Sequence, residues 1–320
     1  AIMNLPKGTE HFMSDLHGEY DAFYHIINNC SGVIREKVAM LYGDELTVYE
    51  QQELCTLIYY PREKLSILMD ENKVNDEWYR NVLNQLIQIA KLLSSKYTRS
   101  KVRKAMPVDF AYIIDELIHA QKDEDDNRSV YHRQIMETIL SLHNGDEFLV
   151  ALTDLIKRLA VDHLHILGDI YDRGAHADKI LDLLMEHHSV DIQWGNHDIL
   201  WMGAFCGNPV CMALVVRNNI KYKTMSILEN GYGISLRFLL QFAVNTYSDK
   251  NVDDAVYKAI SVILFKLEGQ LIKRHPEYRM EGRLLLDKMN LDKGTVRIGD
   301  KDYFLNTNEF PTVDMNNPYE

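Results

Sequence analysis

A chain of 320 residues, 46% hydrophobic and 26% charged, has the make-up of an ordinary folded globular protein and the length of about two domains. Its net charge of −12 argues against broad binding to nucleic acid or to an anionic membrane surface. An anionic small molecule stays open as a substrate, because bound divalent cations invert the potential around them.

The N-terminal residues contain no charged segment leading into an apolar run, and no stretch of about 18 apolar residues occurs along the chain, so a cytoplasmic protein is expected. The chain opens at Ala1-Ile2 and stops at Asn317-Pro318-Tyr319-Glu320 without a helical closing pattern, as expected of the N-terminal portion of something longer. A short extended segment, His11 to Asp15, runs straight into His17-Gly18. A helical region follows, with an insertion over about 43–145. Its clearest helix spans Trp78 to Tyr97, where Trp78, Val82, Leu86, Ile89, Leu93 and Tyr97 recur at steps of three and four. A second runs from about Val130 to His143 and is stopped by Asn144-Gly145. A third carries Phe148, Leu152, Leu155, Ile156 and Leu159 on one side. The acidic run Asp123 to Asp126 reads as a solvated loop.

At Val161 the pattern changes. His163-Leu164-His165-Ile166-Leu167 alternates as a short strand, Ala177 to His188 is helical, and Val190 to Trp194 is a second strand. Strand, helix and strand within 161–198 follow the grammar of a layered α/β protein. Residues 199–290 are helix-rich again, and 295–305 form a hairpin turning at Gly299-Asp300. Of the four cysteines, Cys30, Cys55, Cys206 and Cys211, none forms a C-x-x-C pair, so buried or partly buried free thiols are expected. His187-His188 is read as the cationic end of a helix, and His163 and His165 as packing residues of their strand.

Three polar blocks each follow a predicted strand, where α/β folds place their ligand-binding loops. They are Ser14-Asp15-Leu16-His17-Gly18, Gly168-Asp169-Ile170-Tyr171-Asp172-Arg173-Gly174 and Gly195-Asn196-His197-Asp198. In an extended chain residues two apart share a face, so Asp15 and His17 can present a carboxylate and an imidazole to one cation. Asp169 has two oxygens with which to bridge two metals, and Asn196 adds a neutral oxygen. Arg173, with Asp172 beside it, offers forked donors for phosphate oxygens. Mixed carboxylate, imidazole and amide donors suit Mn, Fe or Zn better than Mg or Ca. Two such ions about 3.5–4 Å apart activate a bridging water and neutralise charge on a phosphoryl group. His197 is the natural acid for the leaving alkoxide, with Asp198 to orient its ring and raise its pKa.

In order and wording the blocks resemble the metallophosphoesterase superfamily, which includes the serine/threonine phosphoprotein phosphatases. The resemblance implies Asp15 and His17 on one metal, Asp169 bridging, Asn196 on the second metal, Arg173 on the phosphate, and His197 with Asp198 as the acid pair. Asp15 and Asp169 lie 154 residues apart, with the helical insertion between them. That spacing, the lead-in Leu5-Pro6-Lys7-Gly8-Thr9-Glu10-His11-Phe12, and Arg274-His275-Pro276-Glu277-Tyr278 with Arg283 to Asp287 resemble the class III fructose-1,6-bisphosphatases of bacteria. This implies one metallophosphoesterase-like domain over 1–320, a layered β-sheet core with large helical insertions. It also implies a manganese pair, a small sugar-phosphate substrate, and hydrolysis of the 1-phosphate of fructose 1,6-bisphosphate by a bridging hydroxide, a gluconeogenic step. A homo-oligomer is compatible with these features. The superfamily places two further histidines on the metals. After His197 only His275 follows, in Arg-His-Pro rather than before glycine, so an incomplete ligand set is expected. The alternatives are a phosphoprotein or dinucleotide phosphatase, or a catalytically incomplete binding or regulatory module.

Overall fold

The computed structural model describes residues 8–119, 126–247, 251–305 and 318–319, with backbone only at 126–129. Most of the acidic run at 123–126 therefore lies outside the described residues. Among the described residues the protein is mixed α/β, mostly helical with two small sheets. It divides into two compact units. Unit 1 comprises Ala1–Met13, Asp21–Ile166 and Leu184–Ile192, and unit 2 comprises Ser14–Tyr20, Leu167–Leu183 and Gln193–Glu320.

Unit 1 is built on helices. The helix expected from Trp78 spans Asp76–Ser94, and its stripe of Val82, Leu86, Ile89 and Leu93 is buried. Asn75 accepts a hydrogen bond from the Trp78 amide at 2.9 Å, satisfying one of the donors that a helix start leaves free. Tyr97 falls beyond the helix end, and its hydroxyl donates to the Leu159 carbonyl instead. The next two expected helices span Asp126–Ser141 and Gly145–Ala160. The latter is apolar on most of its circumference, with Phe148, Leu149, Leu152, Leu155 and Ile156 fully buried, as befits a helix at the centre of a core. Asn75→Ala is expected to cost about 1 kcal/mol of stability, read as a lower urea midpoint at unchanged m, and Asn75→Asp to restore most of it.

Three parallel strands close this unit: β1 (Glu10–Met13), β2 (His163–Ile166) and β3 (Val190–Ile192), in the order β1-β2-β3. Leu164 and Ile166 of β2 are fully buried on one face. His163 and His165 therefore point to the other face, and the packing role expected for them falls to their neighbours. His187 and His188 are also reassigned. Burial lowers both rings, His187 to about 4, so at neutral pH they are uncharged. They bond the Ser189 and Val161 carbonyls rather than serving as a cationic helix end.

This has a pH consequence. An unfolded histidine binds its proton near pH 6.5, whereas folded His187 does so only near pH 4. Between those values the unfolded chain holds more protons, so stability is full above the window and falls as pH drops through it. His187→Gln is expected to flatten the decline in urea midpoint between pH 7 and pH 4; an unchanged slope would assign the acid sensitivity to other groups.

Unit 2 contains the helices Asn196–Phe205, Pro209–Tyr222, Arg237–Thr246 and Val252–Arg274, which share small apolar cores. The expected hairpin is present as β5 (Thr295–Ile298) and β6 (Lys301–Phe304), with a third antiparallel strand, β4 (Met289–Asn290), beside β5. Gly299 takes φ +60° at the first turn position, where the strand twist calls for positive φ. All four cysteines are free. Cys30 and Cys55 are buried and Cys211 half-buried, while Cys206 is exposed, against expectation. Burial pushes the Cys30 thiol up to about 12. No helix among the described residues is long and apolar enough to cross a membrane.

Candidate active site

All three polar blocks belong to unit 2, and the chain enters each within three residues of the end of β1, β2 or β3. The first block is not extended, which corrects the alternation argument for Asp15 and His17. Both residues have left-handed backbone, φ 55° and 48°. The strand stops at Met13, and the amides beyond it bond to the second block. Asp15 N–H donates to the Gly168 carbonyl at 3.1 Å, His17 N–H to that of Asp169 at 2.8 Å, and Gly18 N–H to that of Ile170 at 2.8 Å. The two side chains meet all the same, with His17 Nε2 at 3.6 Å from Asp15 Oδ1. Asp169 is the third site residue in left-handed backbone, φ 53°. Each such residue costs about 1–3 kcal/mol and persists only where its surroundings over-determine it.

Asp172 is the hub of the second block. Its side chain is only 4% exposed, and Oδ2 lies 3.0 Å from His17 Nδ1 while Oδ1 lies 3.4 Å from His197 Nε2. Arg173 Nε donates to Oδ2 at 2.8 Å, which leaves the terminal amines of that exposed guanidinium unspent. The approach of Asp172 to His17 is out of line, so buried Nδ1 has a charge partner but no hydrogen bond.

The third block is a helix start rather than a loop, since Asn196 opens the helix Asn196–Phe205. Asp198 makes that start possible. Its carboxylate is buried and accepts from the Gly195 amide at 2.8 Å and the Tyr171 amide at 3.0 Å. Both oxygens are thus taken by backbone, and the expected pairing of Asp198 with His197 is replaced by the contact from Asp172. Asp198 locks the second block to the third. The half-buried Asp169 does the same from the other side, its Oδ1 accepting from the His197 amide at 3.4 Å. Asn196 is exposed at the helix start. A Cβ on Gly195 would fall on Asp169 Oδ1, so glycine is what allows this approach.

An aromatic stack missed from sequence supports the second block. Tyr171 stacks on Trp201 at 4.3 Å between centroids and hydrogen-bonds the Tyr232 hydroxyl. Burial, then that bond, raises the Tyr171 phenol far above its usual range. One usable signal is the step of four from His197 to Trp201, which puts both on one side of the helix. Tyr232, 61 residues from Tyr171, has no such signal. His275 pairs with Glu277 at 2.8 Å and stacks on Tyr278.

The donor set fits divalent metal. The three blocks hold four carboxylates, Asp15, Asp169, Asp172 and Asp198, and one guanidinium, that of Arg173, which bonds Asp172; bound cations relieve such an excess of negative charge. His17 has its Nε2 towards Asp15 and a carboxylate behind Nδ1, the backing that metal-bound imidazoles commonly have. Unit 1 has a different His/Asp cluster: among the described residues, His163, His165 and Asp191 bring three ligand atoms within 4.8 Å of one another.

The family model for the Firmicute fructose-1,6-bisphosphatases matches residues 1–320, and the chain belongs to that family. It is 51% identical over its whole length to a class 3 fructose-1,6-bisphosphatase of Clostridium beijerinckii, and 49% and 50% identical to the class 3 enzymes of Clostridium acetobutylicum and Clostridium tetani. Each alignment covers all of this chain and 51% of the relative, so the chain spans about half the length of the curated relatives it matches. No solved structure matches it.

Proposed function

We propose that this chain carries the phosphate-hydrolysing site of a fructose-1,6-bisphosphatase, cleaving the 1-phosphate to give fructose 6-phosphate and phosphate in a gluconeogenic step. The reading is supported by its family and by one observation above the rest: the Asp172 carboxylate touches His17 of the first block, Arg173 of its own and His197 of the third. The proposal includes a layered metallophosphoesterase-like domain, a cytoplasmic location and a manganese pair held by Asp15, His17, Asp169 and Asn196. It also includes self-association, for which exposed Phe205 and Phe238, at 94% and 84%, offer apolar surface.

A bound metal pair supplies an activated water and neutralises charge on the phosphoryl oxygens. The chain's own residues do the rest. Arg173, tethered to Asp172 through Nε, presents its terminal amines to the phosphate. Water adds to phosphorus, the bond from phosphorus to the C1 oxygen breaks, and His197, with Asp172 at its Nε2, gives the proton of its other ring nitrogen to the leaving alkoxide. Asp172 holds the His197 ring in place. Asp198, bonded to two backbone amides, fixes the helix start that carries Asn196 and His197.

The deciding experiment compares phosphate release from fructose 1,6-bisphosphate, a phosphopeptide and a dinucleoside polyphosphate by manganese-loaded chain. The sugar bisphosphate is expected to be turned over fastest, and faster release from either alternative would overturn the substrate assignment. A second reading, a catalytically incomplete binding module, draws on the engagement of His275, the one histidine after His197, with Glu277. Manganese binding without release from any substrate would favour it.

A further inference from the structure

The parallel sheet of unit 1 has a face whose side chains are donors rather than packing groups. Along β2 the pattern His-x-His puts His163 and His165 on one side, two residues apart. The register sets Glu10 of β1 opposite His163, and both Phe12 of β1 and Asp191 of β3 opposite His165. Three adjacent strands thereby contribute acid, imidazole, imidazole and acid to one small area.

The distances are short. Asp191 Oδ2 lies 3.2 Å from His163 Nε2, and Oδ1 and Oδ2 lie 2.9 and 3.0 Å from His165 Nδ1. The other nitrogen of His163, Nδ1, is 2.6 Å from the Ser189 hydroxyl. The Ser189 hydroxyl accepts from or donates to Nδ1 according to the ring tautomer, and where Nδ1–H donates to it the Nε2 lone pair faces Asp191, so that a cation between the two satisfies both. Phe12 lies flat against His165 at 4.4 Å and 14°. His165 Nε2 is buried without a hydrogen-bond partner, and the nearest acid, Glu10 Oε2, is 4.0 Å away.

We propose that His163, His165 and Asp191 form a binding site for a divalent transition metal of the zinc class, made of residues other than those of the three polar blocks. Two imidazoles and a carboxylate are the donors that Zn²⁺ and Co²⁺ select, and Mg²⁺ and Ca²⁺ do not. Three protein ligands leave a fourth position for water or, after rotation of its exposed side chain, for Glu10. Ser189 orients His163 from behind, as outer partners of metal-bound histidines do. Hydrogen-bonded strands hold all three ligands, and such elements fix a site more rigidly than loops do.

The test uses the whole chain, stripped with chelator and titrated with Zn²⁺, with bound metal counted directly. His163→Gln and Asp191→Asn are each expected to bind one zinc fewer than wild type, and Ser189→Ala to weaken that site by about tenfold. Bound Co²⁺ is expected to lose a visible absorption component in the same variants. A second measurement needs no variant: zinc should shield His163 and His165 of wild-type protein from diethyl pyrocarbonate, mapped by mass spectrometry. Equal zinc content in wild type and folded variants, or equal reactivity of the two histidines with and without zinc, overturns the proposal and leaves an ion-pair cluster.

Discussion

Asp172→Asn is expected to reduce turnover of fructose 1,6-bisphosphate by about 10²–10⁴-fold, the range associated with a positioned proton-transfer group. The substitution keeps the shape of the side chain and removes its charge. Three groups depend on that charge: His17 Nδ1 at 3.0 Å, His197 Nε2 at 3.4 Å and Arg173 Nε at 2.8 Å. A carboxylate accepts at both oxygens, whereas an amide accepts at one and donates at the other. At least one of the three neighbours would therefore meet a donor, with the side chain 4% exposed and little water to compensate. Manganese affinity is expected to fall by about 10–100-fold as well, because His17 loses the carboxylate behind its ring. A merely structural role would move stability and leave the coupling untouched. The discriminating measurement is therefore a double-mutant cycle with His197→Gln, in which the combined loss should be close to that of either change alone. Full additivity, or wild-type turnover in Asp172→Asn, would remove Asp172 from the proton path.

Much of the helical part could be read ahead of the structure. Helix Asp76–Ser94 and helix Gly145–Ala160 bury a continuous side, and apolar periodicity is a strong signal when a whole stripe is buried. The short strands β2 and β3 were visible through alternation and their flanking glycines. β4, two residues long, was not, since two residues cannot show a period. The membership of the site was visible because the blocks are contiguous in sequence, but its wiring was not. Asp198 is adjacent to His197, and adjacency suggested a pair. On a helix start, however, the third residue turns back to the amides before it, so Asp198 caps Gly195 and leaves His197 to Asp172. The left-handed turns at Asp15, His17 and Asp169 were equally hidden. They are imposed by hydrogen bonds between blocks some 150 residues apart, and no local window contains both partners. The face of β2 was misjudged for a related reason: alternation says that two faces exist, and only packing says which one is buried.

Gly174→Ala is expected to damage the site without touching a polar side chain. Gly174 N–H donates to the His17 carbonyl at 2.6 Å. An added Cβ would fall on that carbonyl oxygen and come within 2.6 Å of the Gly18 carbonyl carbon, also backbone. No rotamer can relieve the collision, because the obstacles are main-chain atoms. The two loops must part, at a cost of about 1–3 kcal/mol in stability. The functional loss should be larger. His17 moves with its carbonyl, and a displacement of about 1 Å in a positioned group can cost 10²-fold in rate. Gly282→Ala is the matched control, since a Cβ there meets nothing within 4 Å, and it is expected to leave both readouts unchanged. Measured together, the two variants separate general glycine effects from loop contact. Equal behaviour of Gly174→Ala and Gly282→Ala in urea midpoint, manganese affinity and turnover would mean that the first and second blocks do not need this contact to work.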